Sequence, residues 1–214
     1  MKRIIGLTGG IATGKSTVSG YLDQHYSMTI LDADHLARAA TAPTSPLFRP
    51  LTQHFGSAIL APDGTLNRPR LAQIIFSQAP ERRWLEALIH PFVRDRLTQA
   101  RQNFLSYPNP TPQPHPQGLP PILVMVIPLL FEADMVDLVT EIWVVSCDRV
   151  LQIRRLMERN ALSYEQAQER IHSQWPLREK INRADVVLDN NGTLEALYRQ
   201  VDQALLHFPE TTQP

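Results

Sequence analysis

The chain has 214 residues, 43% of them hydrophobic and 20% charged, and its 21 Lys plus Arg balance 21 Asp plus Glu at a formal net charge of zero. This is the composition of an ordinary folded protein long enough to bury a real core, and it excludes a disordered or fibrous chain. Neutrality offers no overall pull toward nucleic acid, and the longest apolar run, Ile122 to Phe131, contains Pro128 and is too short to span a bilayer, so neither nucleic acid nor membrane is expected as a partner.

Arg3 to Leu7 is a short β-branched and apolar run, Gly6-Leu-Thr-Gly-Gly-Ile-Ala-Thr-Gly-Lys-Ser16-Thr17 follows, and Val18 to Leu22 continues as a helix. Strand, glycine loop, helix is the context that the pattern G-x-x-x-x-G-K-[ST] requires, and Gly9, Gly14, Lys15 and Ser16 fit it. Glycines let a backbone wrap closely and turn its N–H groups inward, while the helix start adds the positive end of its dipole. The segment Gly9, Gly10, Ile11, Ala12, Thr13, Gly14, Lys15, Ser16 and Thr17 is therefore predicted to cradle a nucleotide polyphosphate. Lys15 would lie against the β- and γ-phosphates, and the Ser16 hydroxyl would sit on Mg²⁺. The apolar run after Lys2 and Arg3 gives way so soon to this loop that no secretory peptide is expected.

Met28 to Leu31 reads as a second strand that hands over to Asp32-Ala33-Asp34, with a helix from His35 to Ala40. Carboxylates at the carboxyl end of a strand lie where open parallel sheets bind ligands. One of the two can accept a proton from a phosphoryl acceptor, and the other is expected to cap the helix.

From Pro43 to Leu105 the pattern turns helical. Asp63-Gly64 is a turn, Asn67-Arg68-Pro69 opens a helix through Phe76, and a stripe from Trp84 to Val93 is interrupted at Pro91, where the helix should kink or restart. Seven prolines between Tyr107 and Pro121 describe an extended linker. Ile122 to Ile127 and Glu141 to Ser146 read as buried parallel strands. Cys147 is the single cysteine, cannot form an internal disulfide, suits a cytoplasmic protein and is expected as a small buried hydrophobe.

Between Asp148 and Asn160 a helix is predicted with Val150, Ile153 and Met157 on one face and Arg155 and Arg159 on the other, as lid arginines would stand. Ser163 with Gln166 forms a capping box for the next helix. Asp185 to Leu188 is a last strand, Asp189 to Gly192 a turn, and Leu194 to Leu206 a closing helix. Alternation of strands and helices defines an α/β protein with a parallel sheet. A GTPase is disfavoured, because guanine-reading Asn-Lys-x-Asp is missing from the sequence.

Taken in order, the phosphate loop, Asp32-Ala-Asp34, Asp63-Gly-Thr-Leu66, Ile89-His-Pro91, Pro128-Leu-Leu-Phe-Glu132, Arg155-Leu-Met-Glu-Arg159, Arg170-Ile171 with Gln174, Ala184-Asp185 and Asp189-Asn-Asn-Gly192 resemble the dephospho-coenzyme A kinase family over nearly the full chain. The resemblance implies a P-loop NTPase fold, three-layer α/β/α with a parallel sheet, a helical acceptor-binding insert and a helical lid. It implies a nucleotide core at 1–42, 120–148 and 183–214, an acceptor domain at 43–119 with the proline-rich linker 107–121, and a lid at 149–182. It further implies ATP as co-substrate with Mg²⁺, dephospho-CoA as acceptor, Asp34 as general base, Arg155 as a lid arginine near the phosphates, and Arg159 and Asn190 as nucleotide contacts. A monomer or weak homo-oligomer is expected. His90 and Glu132 belong to family motifs, but the sequence assigns them no task. The family pattern usually has glycine where this chain has Ala12, and the loop is expected to keep its geometry with Ala12 at negative φ. Two other readings of the residues are a nucleoside or nucleotide monophosphate kinase and a nucleotide-binding module without catalysis.

Overall fold

The computed structural model describes residues 2–106 and 118–206. The chain forms two compact units, one of residues 1–31 with 101–214 and the other Asp32–Ala100. Of the predicted proline-rich linker, 107–117 lie outside the described residues.

The first unit is built on a sheet of β1 (Arg3–Gly9), β2 (Thr29–Asp32), β3 (Ile122–Val126), β4 (Glu141–Ser146) and β5 (Val186–Asp189), in the order β2-β3-β1-β4-β5. β1 pairs in parallel with β3 and β4, and β4 with β5. Parallel strands need crossovers, and in this unit these carry α1 (Lys15–Tyr26), α6 (Arg149–Asn160), α7 (Tyr164–His172) and α8 (Leu177–Ile181), with α9 (Leu194–Leu206) closing the chain. Along β1, β3 and β4, residues of both parities are buried: Ile5, Val124 and Val145 against α1 and α9, and Ile4, Met125 and Val144 on the opposite face. A sheet covered on both faces explains why these strands read as unbroken apolar runs. The predicted α/β fold is thus the observed one.

The second unit holds α2 (Ala33–Ala40), α3 (Phe48–Phe55), α4 (Arg68–Ser77) and most of α5 (Ala79–Ser106). Leu51, Ile59, Leu71 and Leu85 form its core, with Phe55, Trp84 and Leu88 packed around them. Asn67 caps α4 by accepting from the Arg70 N–H at 3.1 Å. The Asp63-Gly64 turn is the tip of a small loop in which Leu60 and Leu66 form an isolated antiparallel bridge.

Two expectations need correction. Of the kink or restart expected at Pro91, the restart does not occur: α5 runs through it from Ala79 to Ser106. Proline removes the bond to the Ala87 carbonyl, but Leu85, Val93 and Leu97 are buried on both sides of it, and that burial offsets the lost bond. Val150 is 80% exposed, and the buried face of α6 is Gln152, Ile153 and Leu156. No element was expected at α8, which is too short to show a period in the sequence and holds Lys180 fully buried. Its ammonium meets Glu132 Oε1 at 2.8 Å and donates to the Pro128 carbonyl at 3.0 Å. Glu132 also accepts from the Trp175 N–H at 2.9 Å, so the task of Glu132 is to neutralise and fix a lysine taken out of water.

Candidate active site

At the end of β1, Gly9 turns at φ 145, and a Cβ there would collide with the Val145 carbonyl of the adjacent strand. At Gly10 a Cβ would come within 2.5 Å of Gln152 Nε2. Gly14, at φ 108, is the N-cap of α1, and a Cβ there would run into Asn190 Nδ2. The loop thus needs glycine both for backbone conformation and for space.

Within the loop, Thr13 is fully buried and its Oγ1 donates to the Gly10 carbonyl at 2.9 Å. Lys15 Nζ folds back to donate to the Gly10 and Gly9 carbonyls, at 2.7 and 3.1 Å. Lys15, Ser16 and Thr17 form the first turn of α1, whose leading N–H groups have no acceptor inside the helix. Ala12 departs from expectation: its φ is +60, not negative. Ile11 and Ala12 pack against the cluster of Ile153, Leu156, Ala167 and Ile171 between α6 and α7.

Two side chains distant in sequence complete the cradle. Asn190, 5% exposed, donates from Nδ2 to the Thr13 carbonyl at 2.8 Å, and Arg155 Nη2 donates to the Asn190 carbonyl at 3.2 Å. Asn191 Oδ1 accepts from the Asp148 N–H at 2.7 Å, so the Asp189 to Gly192 turn ties the start of α6 to the loop region. Arg155 Nη1 is buried without a hydrogen-bond partner. A buried guanidinium nitrogen with an open donor is a ready partner for an anionic oxygen. Arg159, one turn further on, is exposed and donates from Nε to Asn160 Oδ1 at 3.0 Å, so the structure does not bring it to the loop. Cys147 is buried, and burial pushes its thiol up although Arg155 pulls the other way. It stays a neutral thiol, as expected of a small buried hydrophobe.

The paired aspartates lie where β2 passes into the second unit. Asp32 is the N-cap of α2: its Oδ1 accepts from the Asp34 and His35 N–H groups at 2.8 and 3.2 Å. The capping role therefore belongs to Asp32, and Asp34 is exposed in the first helical turn. His90 is half-buried in the middle of α5.

Sequence reasoning missed two loop contacts. Gln174 Oε1 accepts from the Ile11 N–H at 2.8 Å, and Gln152 Nε2 donates to the Ile11 carbonyl at 2.8 Å. Gln174 was visible as part of a motif without a task. Nothing in the spacing around Gln152 marks it.

A parallel sheet whose first strand delivers a glycine cradle onto a helix start, with a half-buried arginine beside it, defines a P-loop nucleotide enzyme. The comparisons agree: a crystal structure from Thermus thermophilus superposes with a TM-score of 0.74 at 33% identity, covering 97% of this chain and 99% of that one. A dephospho-CoA kinase structure from Campylobacter jejuni shares the fold at a TM-score of 0.66 and 23% identity, over 95% of this chain and 96% of its own. The dephospho-CoA kinase family model matches residues 3–196. A dephospho-CoA kinase of Trichormus variabilis is 53% identical over 204 residues, covering 95% of this chain and 97% of its own. The chain belongs to the dephospho-CoA kinase family, and with it to the ATP-dependent kinases of coenzyme A biosynthesis.

Replacement of Gly14 by alanine tests the cradle. A left-handed backbone costs a side-chain-bearing residue about 1–3 kcal/mol, and the new methyl would push Asn190 off Thr13. Gly14→Ala is expected to weaken ATP binding about tenfold or more, read by equilibrium titration with ATP. Wild-type affinity would mean that the loop does not need Asn190 in place.

Proposed function

We propose that this chain transfers the ATP γ-phosphoryl group to the ribose 3′-hydroxyl of dephospho-CoA, with Asp34 as general base. The acceptor oxygen attacks the γ-phosphorus, the bond to the β–γ bridging oxygen breaks, ADP leaves, and the hydroxyl proton passes to the Asp34 carboxylate. Gly9 to Thr17 holds the phosphates, Lys15 neutralises the β- and γ-oxygens, and Arg155 stabilises charge on the moving phosphoryl group. The observation that carries this reading is the chain of contacts from Arg155 through Asn190 to Thr13, which leaves a buried guanidinium N–H open beside the phosphate cradle. Topology supports Asp34 as well: it follows the carboxyl end of β2, and open α/β sheets bind their ligands beyond the carboxyl ends of their strands. With the cap made by Asp32, the general-base role falls to Asp34.

Asn190 acts on the nucleotide through the loop that it braces, and Arg159 reaches it only by movement of the lid. Among the described residues no group of three or more His, Cys, Asp or Glu could hold a metal ion. Mg²⁺ at phosphoryl-transfer sites takes phosphate oxygens, water and one or two protein oxygens. The Ser16 hydroxyl, exposed at the start of α1, fits that requirement. When bound there, Mg²⁺ neutralises phosphate charge. The functional division is the core at 1–42, 120–148 and 183–214, the acceptor region at 43–119 and the lid at 149–182. The enzyme works in the cytoplasm as a monomer or weak homo-oligomer, with no nucleic acid or membrane partner. No described helix is long and apolar enough to cross a membrane.

The test is ADP release from ATP and Mg²⁺ with dephospho-CoA, set against the same assay without acceptor and with a panel of nucleosides and nucleoside monophosphates. ADP production that depends on dephospho-CoA is expected. Turnover on a monophosphate in its place would move the chain to a nucleotide kinase, and no turnover with any acceptor would leave a binding module.

A further inference from the structure

The loop residue Ile11 has both of its backbone groups taken by side chains of the helical pair that follows β4. Gln152, 2% exposed on α6, donates to its carbonyl, and Gln174, just past the end of α7, accepts from its N–H. These partners stand 141 and 163 positions away. The next residue, Ala12, is held at φ +60, a conformation that an L-residue with a Cβ adopts only when its surroundings impose it.

Left alone, alanine returns to negative φ, which would rotate the peptide groups on either side of it, the second of which donates its Thr13 N–H to the Gly10 carbonyl at 3.4 Å. The apolar contacts of Ile11 and Ala12 with the α6–α7 cluster hold the side chains, but they are non-directional and do not set the orientation of a peptide plane. Two hydrogen bonds on opposite edges of one residue do set it. Gly10 belongs to the same arrangement, since the space a Cβ would need there is filled by Gln152 Nε2.

We propose that Gln152 and Gln174 are positioning residues that clamp Ile11 and so keep Ala12 left-handed, holding the phosphate cradle formed before ATP arrives. This rests on the phosphate-loop reading above and goes beyond it. Neither glutamine needs to touch ATP. The clamp also joins the phosphate loop to α6, the helix that carries Arg155.

The two glutamines act on ATP binding and not on the chemical step, and their effect depends on Ala12. Gln174 is half-buried, so Gln174→Met keeps the volume and removes the amide that accepts from Ile11. It is expected to raise both the ATP Kd, measured without acceptor, and the KM for ATP by about five- to tenfold, the loss of one hydrogen bond plus release of the loop, with kcat within about twofold of wild type. In an Ala12→Gly background the same substitution should weaken ATP by less than about twofold, because glycine holds φ +60 without restraint. Gln152→Met, which keeps the volume but cannot donate, should follow the same pattern, and restoring glutamine at either position should restore the affinity. Wild-type ATP affinity in both variants would overturn the proposal. So would an equal penalty with and without the Ala12→Gly substitution, which would make the glutamines general packing residues. The Kd arm involves no acceptor, so it decides the clamp even if dephospho-CoA should prove not to be the substrate.

Discussion

Asp34→Asn is expected to lower kcat by about 10²–10⁴-fold while ATP affinity stays within about twofold. The loss corresponds to about 3–5 kcal/mol of barrier. Asparagine has the size and polarity of aspartate but cannot take a proton, so the acceptor hydroxyl would be positioned and not activated. The helix should be indifferent to the change, because the α2 cap is made by the Asp32 carboxylate with the backbone N–H groups of Asp34 and His35. This gives an internal control. Asp32→Asn keeps a good N-cap acceptor and should leave kcat nearly untouched, whereas Asp32→Ala should destabilise the protein by about 1 kcal/mol before it affects turnover. Steady-state ADP release with each variant, beside an ATP titration, separates the two aspartates. A near-normal kcat for Asp34→Asn would take the general base away from this position.

The second large effect is on stability. Arg3 and Glu141 begin β1 and β4 and form a buried bidentate pair, Nε to Oε1 at 2.6 Å and Nη2 to Oε2 at 2.9 Å, with side chains 5% and 2% exposed. Arg3 Nη1 also donates to the Leu205 carbonyl at 2.8 Å near the end of α9, and the Trp143 indole N–H donates to Glu141 Oε2 at 3.0 Å. Breaking such a pair from one side leaves a buried charge uncompensated, at about 3–5 kcal/mol. Glu141→Leu is therefore expected to lower stability by that amount, a fall in Tm of roughly 10 °C or more for a chain of this size. The double variant Arg3→Met with Glu141→Leu should recover much of the loss, because an apolar pair of similar volume removes the desolvation penalty along with the attraction. The Leu205 carbonyl and the Trp143 N–H lose partners in the double variant, so recovery should be incomplete. Urea titration of the three chains checks this, and a single-variant loss below about 1 kcal/mol would show that water reaches the pair.

Neither partner of that ion pair could be recognised in the sequence. Arg3 reads as a flank of an apolar run, and Glu141 as a polar residue opening another. They meet because β4 lies beside β1 in parallel register, a pairing across 138 positions that no local pattern encodes. The same holds for Lys180, buried in a helix too short to carry a period, and for Glu132, whose motif was visible before its partner was.

Local chemistry was legible wherever neighbours in the sequence are also neighbours in space. The glycine loop between a strand and a helix, the capping box of Ser163 with Gln166, the capping carboxylate ahead of α2 and the buried strands of an α/β sheet all depend on interactions within a few residues, or on burial of a whole run, and the chain spells these out directly. What the tertiary structure decided is which distant side chains finish the cradle: Asn190 on Thr13 across 177 positions, Gln152 and Gln174 on Ile11, and through them the left-handed Ala12 that the sequence had assigned to negative φ. A backbone angle set by contacts from α6 and the end of α7 exists only once those helices have packed, because alanine taken alone prefers the other side of φ space.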